Sequence, residues 1–589
     1  MKLIIRQYLA SLRERGELDV VLPDLLSQMG LNVISRPGRG TRQNGVDVAA
    51  VGSVDRGPEK LYLFSIKAGD LTRSEWNVNE QSLKPSLDEI LLAYVRNRVP
   101  DEHGGKPITI CITLGGDVRE QVREELTAYE EKNSSETITF EEWNGDRLAQ
   151  LLQTHLLREE LIPENARTHL RKALAMLDEP DTAFAHFAAL ARSLTQIEDP
   201  TDKKHLIALR QMSICLWILF SWARDASNVE AAYRSAELTL LHGWELLKPF
   251  HGKQSKAATE ALATFHSIFQ TYNQVASNYL HANVFPYANA QHALSTAIAS
   301  SEALDINLRL FDIIGRLSLL GIWSHWHGQQ APDAEMRGAC IEGTFQLANK
   351  LTSIIENNPH LLLPRSDEQA IDIWLGLTLL MLVPGTRDAQ LDWLREVLSR
   401  ARFTYLVHGP YPCIFHSYAE LIDHPVSNDA TYREGATAGS ILYPLISLWA
   451  ALLGDSDLFE QVSAFKRESL GHCNFQFWYP DDSSEVFLYT NREMHGGTLS
   501  DVASEGTSTA LMDQVFAECE ASPQFKTLTA VTYGWWPLVL VACRLYRLPL
   551  PPHLFQRYRQ SDSASNPDPS GADIDSFYDP ANLLNRPAQ

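Results

Sequence analysis

Three residues near the start of the chain have types and spacing suited to chemistry on an anion: Asp47, Ser65 and Lys67. Asp47 lies in the apolar stretch VDVAAVGS, and Ser65 and Lys67 close the apolar stretch KLYLFSIK. Both stretches predict β-strands. Because side chains alternate across a strand, Ser65 and Lys67 share one face with Leu61 and Leu63. An ammonium group on a buried strand needs a negative partner. Asp47 is the expected partner if the two strands pair antiparallel.

The elements around these residues predict an α/β domain. A helix over LDVVLPDLLSQMG (18–30) precedes the strand LNVISR (31–36) and the basic, glycine-rich turn RPGRGTRQNG (36–45). After the two strands come a helix at 86–98, a strand at 107–114, a helix at 117–132, a strand at 137–143 and a closing helix at 144–160. Strands that alternate with helices predict a partly parallel sheet with helices on its faces.

Beyond residue 160 the strand pattern nearly disappears. Long segments such as KAATEALATFHSIFQTYNQVASNYL carry apolar residues at helical spacing, and no repeat of fixed length is present. We therefore expect a domain over 1–160 and an all-helical, array-like domain over 161–558 with a linker near 159–166. The polar, Pro- and Ser-rich stretch 559–589 predicts a disordered tail.

Composition restricts the partners and the compartment. The chain has 589 residues and a formal net charge of −22, which argues against nonspecific nucleic-acid binding by the whole molecule. Residues 1–100 hold 14 Lys and Arg against 12 Asp and Glu, whereas the rest holds 37 against 61. Any contact with a phosphate backbone is therefore expected near the N-terminus. Seven dispersed cysteines without a CxxC pair and the lack of a membrane-length apolar run favour a cytoplasmic protein.

The order helix, strand, GVD (45–47), SIK (65–67) and helix resembles the PD-(D/E)xK nuclease superfamily, and within it the Mrr-like restriction endonuclease domains. The resemblance covers about the first 160 residues and implies a restriction-endonuclease-like fold. It further implies that Asp47 binds Mg²⁺ or Mn²⁺, with the backbone carbonyl of Ile66 as a further ligand. Lys67 would position or activate the attacking water and stabilise charge on the phosphate.

Ser65 departs from the superfamily pattern, in which Glu, Asp or Gln stands two residues before the lysine. The resemblance offers two sources for the missing acid. One is Glu80, thirteen residues after Lys67, where some tetrameric restriction enzymes with an SxK motif place it. The other is the first helix, with Glu17 or Asp19, as in Mrr-like and Holliday-junction enzymes. The sequence leaves both open, and Ser65 stays among the candidate catalytic residues.

Four arginines flank the expected site and are candidates for contacts with nucleic-acid phosphates: Arg36, Arg39, Arg42 and Arg73. The resulting prediction is a Mg²⁺-dependent endonuclease, with DNA favoured over RNA, that acts in bacterial antiviral defence. Its helical domain would control it through a homo-oligomer, a protein partner or a sensed trigger, without a membrane. The alternative is a catalytically degenerate nuclease-like domain that serves as a scaffold for nucleic acid or protein.

Overall fold

A computed structural model describes residues 5–6, 9–10, 12–36, 44–54, 57–78, 82–156, 164–490, 495–500 and 502–556 of the chain. Several sequence predictions fall outside these residues. They are the roles of Glu80, Arg39 and Arg42, residues 159–163 of the linker near 159–166, and the tail over 559–589.

The N-terminal part contains one five-stranded sheet whose strands follow one another in chain order. The first three strands pair antiparallel, and the third, fourth and fifth pair parallel. The mixed sheet predicted from the sequence is therefore confirmed. Its strands are β1 (Asn32–Ser35), β2 (Val48–Gly52), β3 (Lys60–Lys67), β4 (Ile108–Leu114) and β5 (Ile138–Trp143).

Both faces of β3 are covered, which is why this strand is apolar along nearly its whole length. Leu61 and Leu63 belong to a core with Ala49 of β2 and Ile110 and Ile112 of β4. The opposite face carries aromatic side chains, and the rings of Phe64 and Trp143 meet edge to face at 5.1 Å between centroids. A central strand that is buried on both faces shows this composition.

Helices and single helical turns cover the sheet and link its strands. The core beside Leu61 and Leu63 is closed by Trp76, Leu83, Leu87 and Leu126 from the helices after β3 and β4. The helices of this part are α1 (Asp19–Gln28), α2 (Arg73–Asn77), α3 (Leu83–Glu89), α4 (Val95–Asn97), α5 (Glu120–Asn133) and α6 (Gly145–Leu151). Turns of π-helix lie at Glu14–Leu18, Ile90–Tyr94 and Leu152–Leu156, and a 3₁₀ turn lies at Asp101–His103.

The remainder of the described chain is mainly helical, as predicted. Its only strands among the described residues form two short two-stranded sheets, β6 (Gly439–Ser440) with β7 (Asn474–Phe475) and β8 (Phe477–Tyr479) with β9 (Gly497–Leu499). The helices are α7 (Glu164–Ala175), α8 (Pro180–Thr195), α9 (Asp202–Asp225), α10 (Glu230–Leu247), α11 (Lys256–Asn283), α12 (Ala293–Ala297), α13 (Ala303–Gln330), α14 (Ala334–Asn357), α15 (Ala370–Met381), α16 (Arg387–Leu406), α17 (Tyr418–Asp423), α18 (Ala430–Ala436), α19 (Leu442–Leu452), α20 (Ser456–Ser469), α21 (Ser484–Phe487), α22 (Ser508–Ala521), α23 (Gln524–Thr527), α24 (Thr529–Thr532) and α25 (Pro537–Tyr546). Further 3₁₀ turns lie at Lys248–Phe250, Phe285–Tyr287, Pro359–Leu362 and Asp367–Gln369.

Contacts between residues divide the chain into two compact units. The first comprises Met1–Thr239 and Pro249–Thr271, and the second comprises Leu240–Lys248 and Tyr272–Gln589. The first unit thus holds the mixed sheet together with the first helices of the helical region. The boundary at residue 160 stays a prediction.

One described helix, α9, is long and apolar enough to cross a membrane. Of its most apolar window, 89% is buried inside the protein, as in the core helix of a soluble domain. All seven cysteines are free thiols, and six of them are buried.

Candidate active site

Most of the predicted site residues that the structure describes lie where the ends of neighbouring strands meet, and this line of strand ends is called the sheet edge. Because β2 runs antiparallel to β1 and β3, the end of β1, the start of β2 and the end of β3 lie at the same edge. Arg36 follows the end of β1, Asp47 precedes β2, and Lys67 ends β3. Residues separated by up to 31 positions in the sequence are therefore neighbours in the fold.

Two backbone hydrogen bonds hold Asp47 against β3. Its N–H donates to the Phe64 carbonyl at 2.9 Å, which extends the β2–β3 ladder by one residue. Its carboxylate oxygen Oδ2 accepts from the Ile66 N–H at 2.8 Å. The ladder register then places Asp47 opposite Ser65 and on the face shared with Lys67.

The backbone conformation and the close packing at position 45 explain why the GVD motif begins with glycine. Its φ is +77°, and a Cβ built there would lie 2.0 Å from the carbonyl oxygen of Ser86 in α3. The backbone before Asp47 thus passes so close to α3 that no side chain fits. The same close passage fixes the path by which Asp47 enters the sheet edge.

The ammonium group of Lys67 pairs with a carboxylate that the sequence analysis did not consider, that of Glu14. Nζ lies 3.2 Å and 3.4 Å from the two carboxylate oxygens of Glu14. Only 8% of the Lys67 side chain is exposed, against 31% for Glu14. The expectation that Asp47 is the ion-pair partner of Lys67 is therefore wrong, although Lys67 is near enough to act on the charge of Asp47.

A π-helical turn brings Glu14 to the site. The Leu18 N–H donates to the Arg13 carbonyl, and the Asp19 N–H donates to the Glu14 carbonyl, so each bond spans five residues. In such a turn residues five apart lie roughly one above the other. The turn Glu14–Leu18 continues directly into α1, and the two together are called the first helical segment. Glu14 and Asp19 therefore share one side of this segment, and both carboxylates act on the pKa of Asp47.

The charges that act on Asp47 are more negative than positive. The pKa of Asp47 is raised to about 6, first by burial, while the Ile66 hydrogen bond lowers it. Among the nearby charges, Glu14 and Asp19 raise this pKa and Lys67 lowers it. The charged groups that act on the Asp47 carboxylate are thus two further carboxylates and one ammonium group, and this negative charge would favour a bound cation.

Ser65 occupies the position at which the superfamily has an acid. It is 1% exposed, and its hydroxyl oxygen has no hydrogen-bond partner among the described residues. A buried hydroxyl without a partner is costly, and such groups in proteins generally serve a ligand or an ordered water.

Glu17 lies on the same helical segment but makes different contacts. Its carboxylate accepts from the Arg13 N–H at 2.8 Å, and Arg224 of α9 approaches to 3.5 Å. The side chain is 6% exposed and pairs with arginine instead of Lys67. Its predicted catalytic role is untested, and its observed contacts join α9 to the first helical segment.

The two described arginines of the flanking group differ in their surroundings. Arg73 begins α2, is 76% exposed, and lies 3.8 Å from a carboxylate oxygen of Glu125 in α5. Arg36 is exposed at the end of β1. Burial raises the pKa of Asp24, and the positive charges of Arg210 and then Arg36 act against that rise.

Comparison with known proteins adds no further constraint. No family model matches the chain, and neither does any curated protein or solved structure. The relation to PD-(D/E)xK nucleases accordingly stays a prediction, and the site is interpreted from its own geometry.

The donor atoms at this edge are of the type that a hard divalent cation binds. Asp47, Glu14 and Asp19 supply carboxylates, and Ser65 supplies a buried hydroxyl without a described partner. Mg²⁺ and Mn²⁺ prefer such oxygen ligands. Among the described residues, however, no three His, Cys, Asp or Glu side chains are already arranged to hold a metal ion. Any binding would therefore require the carboxylates to move toward the ion.

Proposed function

We propose that the sheet edge around Asp47 and Lys67 is the active site of a metal-dependent endonuclease. The observation that carries the proposal is the meeting of Asp47, Lys67 and two carboxylates of the first helical segment at one edge of a mixed sheet. The substrate would be a nucleic-acid phosphodiester, with DNA favoured over RNA.

In this proposal Asp47, Glu14 and Asp19 hold Mg²⁺ or Mn²⁺, and the Ser65 hydroxyl and the Ile66 carbonyl are available as further oxygen donors. A bound divalent ion would supply Lewis acidity, which lowers the pKa of a coordinated water and offsets charge on the phosphate. Lys67 would leave Glu14 and place its ammonium group against the scissile phosphate or the attacking water. The Ile66 N–H holds the Asp47 carboxylate in place throughout.

Phosphate contacts outside the reacting group would come from arginine. Arg36 and Arg73 are exposed side chains of the described N-terminal part, and an arginine fork binds phosphate oxygens well. The strong negative charge of the rest of the chain would oppose nonspecific binding to nucleic acid. We propose on this basis a cytoplasmic defence nuclease whose helical region controls it through self-association or a protein partner.

The test is cleavage by the full-length protein. Supercoiled plasmid and single-stranded RNA are incubated with Mg²⁺, with Mn²⁺ or with EDTA. We expect cleavage of DNA with either ion, none with EDTA, and a loss of at least 100-fold in Lys67→Ala. Lys60→Ala, which alters the other end of the same strand, is the matched control and should cleave like the parent.

A second candidate function is a nuclease-like scaffold without catalysis. It is favoured by the ion pair that occupies Lys67 and by the lack of a ready metal site among the described residues. Under this alternative the parent protein would bind nucleic acid or a protein partner with equal affinity in Mg²⁺ and EDTA, and would cleave neither DNA nor RNA.

A further inference from the structure

The second compact unit contains a cavity of about 220 Å³ that opens to solvent. Four basic side chains line it: His292, His360, Arg365 and Arg400. No carboxylate is among its lining residues. Its two arginines, Arg365 and Arg400, place positive charge at this cavity in a chain whose formal net charge is −22.

Arg365 is the most informative of the four. Its Nε is buried and has no hydrogen-bond partner among the described residues. Burial lowers the pKa of Arg365, and among the described residues the thiol of Cys413 acts against this lowering. That thiol is neutral near pH 7, since burial raises its pKa to about 12. A partly buried guanidinium without a described carboxylate beside it is unfavourable unless an anion joins it.

Of the other basic groups, Arg400 adds positive charge, whereas His360 is mainly a neutral hydrogen-bonding group near pH 7. Burial lowers the pKa of His360, and the neighbouring His292 and Arg365 lower it further. Arg400 is an exposed residue of the cavity lining. Its Nε donates to the carboxylate of Glu396, one turn earlier in α16, at 3.0 Å. Exposed pairs of this kind contribute little free energy, so the Arg400 guanidinium can exchange this partner for a ligand.

The walls of the cavity are held by internal hydrogen bonds. The side-chain amide of Asn307 donates to the carbonyls of His360 and Leu363, at 2.9 Å each. The Trp393 indole N–H donates to the Leu361 carbonyl at 3.0 Å. The 3₁₀ turn Pro359–Leu362 is thereby fixed between α13 and α16. A cavity with fixed walls loses little entropy when a ligand enters.

We propose that this cavity binds a small phosphate-bearing anion. The guanidinium of Arg365 matches two phosphate oxygens, and His360, His292 and Arg400 supply further donors. Pro359 and Leu363 add apolar surface for an organic group attached to the phosphate. The volume excludes a nucleic-acid duplex or a folded protein segment. The site is separate from the sheet edge and does not depend on nuclease activity.

The experiment is isothermal titration calorimetry on the full chain at constant ionic strength. Inorganic phosphate and adenosine monophosphate are the two probes, and sodium chloride is the blank. We expect saturable binding of one phosphate group per chain. Tighter binding of the nucleotide than of inorganic phosphate would show that Pro359 and Leu363 contact the nucleoside. Equal affinity for the two probes would show that the phosphate alone is recognised.

Two variants and one control separate recognition from folding. Arg365→Gln and Arg400→Gln should each weaken binding at least tenfold. Arg402→Gln, which removes an exposed arginine of the same helix α16 that pairs with Glu468, should bind like the parent. The unfolding midpoint of each variant is measured alongside. Absence of saturable binding by the parent, or equal affinity in all three variants with intact folding, would overturn the proposal.

Discussion

Lys67 and Glu14 form a largely buried ion pair with a shortest separation of 3.2 Å between ammonium nitrogen and carboxylate oxygen. The pair joins the end of the central strand to the π-helical turn that precedes α1. It places a carboxylate of the first helical segment, that of Glu14, next to the lysine. The sequence had suggested Glu17, Asp19 or Glu80 for the acid at this position. The relationship makes Glu14 the first residue to test.

Replacement of Glu14 and of Glu17 should separate catalysis from stability. Glu14→Gln removes the carboxylate beside Lys67, and we expect a loss of metal-dependent cleavage of at least 100-fold. Glu17→Gln removes the carboxylate that accepts from Arg13 and faces Arg224, so the unfolding free energy should fall by about 1–3 kcal/mol. Cleavage rates at saturating Mg²⁺ and urea unfolding curves measure both effects. The opposite pattern, with Glu17→Gln inactive and Glu14→Gln active, would remove Glu14 from the site.

Neutralising Asp47 should stabilise the protein at alkaline pH. The folded-state pKa is raised to about 6 from 3.8, so protonation of this group favours the folded state. The contribution is therefore fully present below about pH 4 and is lost as pH rises through 6. Asp47→Asn keeps an acceptor for the Ile66 N–H and carries no charge. Its unfolding free energy should exceed that of the parent by up to about 3 kcal/mol at pH 8, and by about half of that at pH 5.

Chemical unfolding in EDTA at the two pH values checks this prediction, because EDTA removes any metal that would neutralise the site. Asp178→Asn, at an exposed position of the same compact unit, is the control and should show no such difference. A destabilised Asp47→Asn at pH 8 would mean that the carboxylate is favourable in the folded protein. The same variant should be inactive as a nuclease, so that activity and stability change in opposite directions.

The strands were readable from the sequence because each carries a strong local pattern. KLYLFSIK and PITICITL are apolar on both faces, and GVDVAAVG begins at a glycine that the backbone requires. Antiparallel pairing of β2 and β3 followed from the short loop between them. The alternation of side chains then placed Ser65 and Lys67 on one face without any knowledge of tertiary contacts.

The position of Glu14 beside Lys67 could not be predicted from the sequence, for a physical reason. In an α-helix Glu14 and Asp19 point in directions about 140° apart, since each residue turns by about 100°. Only the π-helical turn brings them to one side, and a π turn has no reliable sequence pattern. The cavity around Arg365 could not be predicted from the sequence either, since its basic residues come from three separate stretches between positions 292 and 400.

Ser65→Ala should leave the fold almost unchanged. The Ser65 hydroxyl has no described hydrogen-bond partner, so its removal loses no bond and relieves a buried polar atom. We expect the unfolding free energy to stay within about 0.5 kcal/mol of the parent. Ser82→Ala is the matched control, because that equally buried hydroxyl accepts from the Val78 N–H at 3.1 Å, and its loss should cost about 1 kcal/mol.

The activity of Ser65→Ala then tests the source of the acid. If Glu14 and Asp19 supply the carboxylates, cleavage by Ser65→Ala should fall less than tenfold. A loss as large as that of Lys67→Ala, with folding intact, would instead make the hydroxyl an essential donor at the site. Either result is obtained from the plasmid cleavage assay at saturating Mg²⁺.

Gly45→Ala should damage both the fold and the site. A methyl group at this position would lie 2.0 Å from the Ser86 carbonyl oxygen, and the backbone φ of +77° is unfavourable for alanine. Gly30 is a matched control, since its φ of +89° imposes the same backbone strain while no atom lies within 4 Å of the added methyl. We expect Gly30→Ala to cost about 1 kcal/mol of unfolding free energy and Gly45→Ala at least 2 kcal/mol more.

Because the clash would push the chain away from α3 two residues before Asp47, Gly45→Ala should also lose metal-dependent cleavage under conditions in which it is still folded. Gly30→Ala should retain it. Urea unfolding followed by circular dichroism, with cleavage measured on the same preparations, gives both quantities. Equal destabilisation by the two substitutions would show that the passage beside Ser86 is not tight and that Gly45 does not position Asp47.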